Sequence, residues 1–223
     1  MSEEGHATFV FADIAGYTAL TEAHGDVDAA ELAGTFGRSI SEAATARGGE
    51  VIKTIGDAVM VRHTDPSEAV ALGLAAAHQV LAGHGFPAVR VGMHHGPAVE
   101  RGGDWFGATV NLAARVAALA AGGEVLVTEA VRSGAGELEG VEFESRGEHR
   151  VRNVTLPVPL FAAVPGERSR EPHHLDPVCH MLVAEGREAG SLRHDGTLYH
   201  FCSLECARRF LQDPGAYTPE TAT

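Results

Sequence analysis

The chain is short of positive charge: 17 Lys and Arg stand against 30 Asp and Glu, a formal net charge of −13. Clustered basic residues replace counterions on nucleic acid and hold anionic bilayers, so neither is expected as a partner. Long apolar runs are missing too. The stretch AVALGLAAAHQVLAG is broken by His78 and Gln79 and falls short of the roughly 20 apolar residues that span a bilayer. The opening MSEEGHATF lacks the basic start and apolar core of a secretory leader. A soluble, cytoplasmic chain is the expectation. Cysteine is scarce: Cys179, Cys202 and Cys206 are the only three, all in the last quarter. Three cannot pair off completely as disulfides, which favours thiols or metal thiolates in a reducing compartment. The sequence has no internal repeat and no low-complexity segment.

What is present divides the chain unevenly. A length of 223 residues suits one ordinary domain with a small appendage, or two small domains. ATFVFADIAG (7–16) reads as a buried strand entering a turn, and TALTEAHGD as the start of a helix. A longer helical pattern runs from Asp28 to the pair Gly48-Gly49. VIKTI and AVMVRH flank Gly56-Asp57 as a hairpin, and a helix follows Pro66 and closes in glycine. VRVGMHHGPAVE is a strand, GGDWFG a turn and TVNLAARVAALAAGG a helix; EVLVTEAV, VEFESR, HRVRNV and PLFAAV complete the strands. The expected class is α+β, a mostly antiparallel sheet with helices on one face. One domain covers residues 1–165, a charged and Pro-containing linker 166–174, a small module 175–217 and a tail 218–223. So small a module usually needs a metal, disulfides or a partner to fold.

Two groups of residues carry chemistry. Asp13 closes an apolar strand and Asp57 sits at a hairpin tip, where paired carboxylates can hold Mg²⁺ while a substrate phosphate supplies other ligands. Taken singly, Asp57 is equally a turn residue and Asp13 a helix cap. In NLAAR, Asn111 and Arg115 share one helix face at i, i+4, which suits a polar ligand with developing negative charge or a plain solvated face. In the module, Cys202 and Cys206 share a face if Cys206 lies in the first turn of a helix, and His200 points to the same side as Cys202 on an extended strand. With Cys179 they form a donor set for Zn²⁺ or a copper ion, set against three reduced thiols packed in a small core.

FVFADIAGYTAL, VIKTIGDAVM, VRVGMHHGP and GGDWFGATVNLAARVAALAAGGEVLV, in this order, resemble the successive motifs of the class III nucleotidyl cyclase catalytic domain. That resemblance implies a ferredoxin-like catalytic fold over about the first 165 residues. It assigns Asp13, Asp57 and the Ile14 carbonyl to two Mg²⁺ or Mn²⁺ ions, and Gly16, Tyr17 and Thr18 to a turn whose amides meet nucleotide phosphates. It assigns Lys53 and Asp104 to the purine, and Asn111 and Arg115 to the transition state. Arg90 and Arg152 are expected on phosphates. One donor and one acceptor complement adenine at N6 and N1; family members that use GTP typically have an acidic residue at the position of Lys53. The implied reaction is attack of the ribose 3′-oxygen of ATP on its α-phosphorus, giving cyclic AMP and pyrophosphate. In the family the metal aspartates come from one subunit and the other residues from its partner, so a homodimer with two composite sites is expected.

DPVCHM, DGTLYHFCS, the C-x3-C spacing and FLQDPGAY resemble a YHS domain, a small metal-associated module of the TRASH type, over 175–217. His180, His194 and His200 are the candidates for its fourth ligand, and strand parity selects His200. Two functions are compatible with the whole: an adenylate cyclase modulated by a metal-binding tail, or a metal sensor or carrier that uses a cyclase fold for dimerisation. The intact set Asp13, Lys53, Asp57, Asp104, Asn111 and Arg115 favours the enzyme.

Overall fold

The computed structural model describes residues 3–78, 86–166 and 173–218. The expected glycine-rich end of the third helix, most of the linker and the last five residues of the tail lie outside these. The first strand, β1 (Glu3–Ile14), runs into α1 (Tyr17–His24) and α2 (Asp26–Ala46). A hairpin of β2 (Glu50–Ile55) and β3 (Ala58–His63) leads to α3 (Pro66–His78) and the long β4 (Val89–Arg101). Then come β5 (Asp104–Phe106), α4 (Ala108–Leu119), β6 (Val125–Thr128), α5 (Glu129–Ala135), β7 (Val141–His149) and β8 (Val158–Pro165). These eight strands form one sheet in the order β2-β3-β1-β4-β6-β8-β7, with β5 folded back onto β4. Only the β4–β6 pair is parallel, as an antiparallel-rich α+β domain requires.

Strand alternation places a core on each face of the sheet. Val10, Ala12 and Ile14 of β1 join Phe36 and Ile40 of α2 and Leu72 of α3, whereas Phe9 and Phe11 join Val110, Ala113 and Ala117 of α4. Helices therefore cover both faces, which corrects the one-face expectation. The pattern missed this because α4 is mostly small residues, and its seat is made by an absence: a Cβ on Gly92 would lie 1.9 Å from the Ala117 nitrogen. Only glycine lets the helix backbone come so near the strand.

Three local readings also change. EVLVTEAV is a strand only to Thr128, after which Glu129 starts α5. HRVRNV ends β7 and then turns, with Asn153 at a left-handed φ of 57°. Asp104–Phe106 of the expected GGDWFG turn pair with β4 as β5.

The C-terminal module starts inside the expected linker, at β9 (His173–Leu175), which pairs with β10 (Leu182–Ala184). A second hairpin, β11 (Gly190–His194) and β12 (Thr197–Phe201), precedes α6 (Leu204–Gln212). Its Val178, Cys179, Phe201, Cys206 and Phe210 are continuous with the core beneath α1–α3. The backbone joins the two parts as well: Leu182 N–H donates to the Phe86 carbonyl and Ala88 N–H to the His180 carbonyl, each at 2.9 Å.

Candidate active site and metal centre

Asp13, one residue before the end of β1, is the cross-strand partner of Ala58 on β3 and of Arg90 on β4. Gly56, at φ 62°, turns the β2–β3 hairpin and leaves Asp57 immediately before Ala58. The two carboxylates are neighbours. Burial and the Asp13 charge, together with a hydrogen bond between them, raise Asp57 to about 6. Two half-buried carboxylates that resist joint ionisation are relieved by a cation, so the pair fits a hard divalent ion such as Mg²⁺ or Mn²⁺. Arg90 Nε donates to Asp13 Oδ2 at 2.8 Å. Arg90, expected on a phosphate, has its guanidinium on Asp13 beside the carboxylate pair, as the β1–β4 register dictates.

Past Asp13, buried Ile14 ends the strand, Ala15 N–H donates to the Ala88 carbonyl at 2.8 Å, and Gly16 adopts left-handed φ 72°. Gly16 has no capping side chain, so the first amides of α1, at Tyr17 and Thr18, have no side-chain partner from the cap. Such amides suit an anion.

A bulge between Val51 and Lys53 sets Lys53 opposite Met60, whose side chain lies in the core under α4. β5 brings Asp104 to it: Lys53 Nζ donates to Asp104 Oδ2 at 2.6 Å, and this bond lowers the Asp104 pKa. The expected purine pair is therefore assembled within one chain. On α4, Asn111 is exposed and Arg115 half-buried, and neither side chain has a hydrogen-bond or ion-pair partner among the described residues. Arg152 is exposed in the turn after β7. A cleft of about 710 Å³ opens beside the hairpin turn, lined by Tyr17, Gly34, Arg38, Thr54 and Gly56 among others. Lys53, Asp104, Asn111 and Arg115 do not line it.

The three cysteines also converge. Cys179 Sγ is 3.4 Å from Cys202 Sγ, which is 3.8 Å from Cys206 Sγ. Ser203 caps α6 by accepting from Cys206 N–H at 3.1 Å, which puts Cys206 in the favourable first turn for a thiolate. Hydrogen bonds from Cys179 and Cys202 hold the Cys206 pKa far below the usual thiol range, while Cys179 is pushed far above it by the same contacts. The fourth member is His24, at the end of α1, with Nε2 3.9 Å from both Cys202 and Cys206. All four donor atoms lie within 4.8 Å of one another. A tetrahedral Zn²⁺ with bonds of about 2.3 Å to sulfur has sulfur–sulfur edges of about 3.8 Å, so the set fits.

His200 stands outside this group, which corrects the choice made from strand parity. Its ring stacks on His174 at 3.6 Å, and Nδ1 lies 3.1 Å from Ser191 Oγ. His194 meets the edge of Phe210, and His180 packs on Gly16. Sequence reasoning missed His24, which has no cysteine near it in the chain. It also missed Asp176, a fully buried carboxylate accepting from Val178 N–H and Cys202 N–H, each at 2.8 Å. The Asp in DPVC was its only signal.

Comparison with known proteins agrees with this geometry. The family model of the adenylate and guanylate cyclase catalytic domain matches residues 1–162, and that of the YHS domain 174–221. A pH-sensitive adenylate cyclase of Mycobacterium tuberculosis is 40% identical over 159 residues, 69% of this chain and 39% of its own length. An adenylate cyclase of Streptomyces coelicolor is 36% identical over 120 residues, covering 54% of this chain and 32% of its own. The chain thus spans under two-fifths of the length of these relatives. Among solved structures, an adenylate/guanylate cyclase/hydrolase from Silicibacter pomeroyi superposes with TM-score 0.67 at 26% identity, over 74% of this chain and 99% of that one. The adenylyl cyclase CyaB of P. aeruginosa shares the fold, with TM-score 0.65 at 23% identity over 76% of this chain and 99% of the other. The chain belongs to the adenylate and guanylate cyclase catalytic domain family and has a YHS domain at its C-terminal end.

Proposed function

We propose that the protein is an adenylate cyclase that converts ATP to 3′,5′-cyclic AMP and pyrophosphate at sites shared between two copies of the chain. The observation that carries this reading is the Asp13–Asp57 pair, two carboxylates held together where burial and mutual repulsion raise Asp57 to about 6. Asp13 and Asp57 would hold divalent cations, which would supply acidification of the ribose 3′-hydroxyl and neutralisation of the triphosphate. The chain's own groups do the rest. Amides of the Gly16–Thr18 turn bind phosphate, Asn111 orients the ribose, and Arg115 meets charge developing on the α-phosphate. Arg90 balances the Asp13 carboxylate.

Lys53 and Asp104 offer one donor and one acceptor, the complement of adenine at N1 and N6; guanine reverses this pattern. Each buried mismatch costs about 1–3 kcal/mol, which favours ATP over GTP. The shared site is supported by Asn111 and Arg115, whose side chains have no partner among the described residues, and by apolar neighbours left in solvent: Phe106 is 51% and Leu119 43% exposed. A second copy would cover these and bring its own carboxylate pair. The YHS domain is read as a metal-responsive regulator of this output. Incubation of the purified protein with ATP or GTP and Mn²⁺ tests the activity. Cyclic AMP as the main product is expected; no cyclic nucleotide from either would refute the enzyme reading, and preferential cyclic GMP would refute the purine assignment.

A further inference from the structure

We propose that His24, a residue of the catalytic domain, is the fourth ligand of the thiolate site, so that one Zn²⁺ bound by Cys179, Cys202, Cys206 and His24 ties the C-terminal module to the far end of α1. The argument begins with the donor atoms. Four of the six donor–donor edges lie between 3.4 and 3.9 Å and all six are within 4.8 Å, close to those of a tetrahedral thiolate site. Cys179 and Cys206 are fully buried, and His24 and Cys202 half-buried, so an ion there would be largely shielded from water. Three thiolates with one neutral imidazole form a soft set that selects Zn²⁺ over the Mg²⁺ or Mn²⁺ suited to Asp13 and Asp57. The Asp176 carboxylate already fixes the backbone at Val178 and Cys202, on both sides of the site.

The position of His24 gives the site its consequence. α1 is an eight-residue helix, about 12 Å long at its usual rise. One end carries His24 and the other the Gly16 turn beside Asp13. The module holds that second end too: the ring of His180, the residue after ligand Cys179, packs so closely on Gly16 that a Cβ there would lie 2.9 Å from its Cγ. The His180 carbonyl accepts from Ala88, whose own carbonyl accepts from Ala15. Zinc on His24 would therefore brace both ends of the helix that presents the phosphate turn. The regulatory consequence, a nucleotide affinity that rises with zinc occupancy, rests on the cyclase reading; the ligand assignment does not.

The test uses the full chain, reduced and freed of metal, titrated with Co²⁺ as a spectroscopic stand-in and with Zn²⁺ against a competing chelator. Wild type should bind one ion with strong tetrahedral Co²⁺ absorption and thiolate-to-metal charge transfer. His24→Ala should weaken Zn²⁺ by about 100-fold or more and lose the tetrahedral bands, and His24→Cys, still four-coordinate, should recover them with added charge transfer. His200→Ala should bind as wild type does. Amide hydrogen exchange without nucleotide should show α1 protected by Zn²⁺ in wild type and not in His24→Ala. Unchanged affinity and spectrum in folded His24→Ala, or their loss in His200→Ala, would overturn the assignment. If His24→Ala fails to fold, a His24→Cys spectrum identical to wild type would overturn it. Zinc-dependent protection of α1 without any change in ATP affinity would overturn the regulatory consequence alone.

Discussion

The two parts of this molecule are held together by different means, and each builds its candidate metal site from what holds it. The catalytic domain is stabilised by close packing on both faces of an eight-stranded sheet, with α4 seated at Gly92. Its carboxylates sit at strand and hairpin ends, half-open, suited to hard ions that arrive with a substrate. The C-terminal module has two short hairpins and one α-helix, and its buried residues join the core of the first domain. Its three thiols lie in that shared core with His24 of the first domain beside them, the arrangement in which binding a metal would be linked to folding and docking. The first arrangement suits exchangeable ions in catalysis, and the second an ion that organises structure.

Substitution of Asp57 by Ala should separate the two sites most sharply. Cyclic AMP formation should fall by at least about 10²- to 10³-fold, while the Zn²⁺ stoichiometry measured after dialysis stays that of wild type. Loss of zinc from this variant would erase the distinction between the centres. Lys53→Glu should lower kcat/KM for ATP by about 10- to 100-fold, as one adenine contact becomes a buried mismatch, and shift the ATP-to-GTP ratio toward GTP in competition assays. An unchanged ratio would remove Lys53 from the purine site.

Packing should matter most where it is tightest. Gly92→Ala places a methyl against the backbone of Ala117 and should destabilise the catalytic domain by about 1–3 kcal/mol, seen as a lower thermal midpoint with Zn²⁺ affinity unaltered. The mildest effect is on pH. Because the Asp57 pKa is raised from 3.8 to about 6 in the fold, its contribution to stability is full below the unfolded value and is lost as pH rises from about 4 through 6. Added Mn²⁺ should remove this decline by stabilising the ionised pair, and the Mn²⁺ concentration needed for half-maximal activity should rise as pH falls below about 6. Thermal melts and Mn²⁺ titrations between pH 4 and 8 would check both.

Much of the catalytic domain was legible because its chemistry is written in local patterns. Apolar runs broken by Gly16 and Gly56 marked where Asp13 and Asp57 would stand, and the structure makes them neighbours. Lys53 and Asp104, far apart in sequence, lie together at 2.6 Å. Some misses are local boundaries, and others depend on a contact with another element. EVLVTEAV reads as one strand until Thr128 begins the helix N-terminus. Parity along β12 could say which side His200 occupies but not that His174 would stack there. His24 could not be found from cysteine spacing at all, since only the docking of the module on α1 brings it to the thiols.

The central claim, a nucleotide-cyclising site made of two half-sets from two chains, is tested most directly by mixing two inactive variants. Asp57→Ala and Arg115→Ala homodimers each lack one member of both sites, whereas their heterodimer keeps one site whole. With equal mixing and free subunit exchange, about a quarter of the wild-type rate of cyclic AMP formation is expected. A mixture that stays inactive while heterodimers demonstrably form would contradict the shared site.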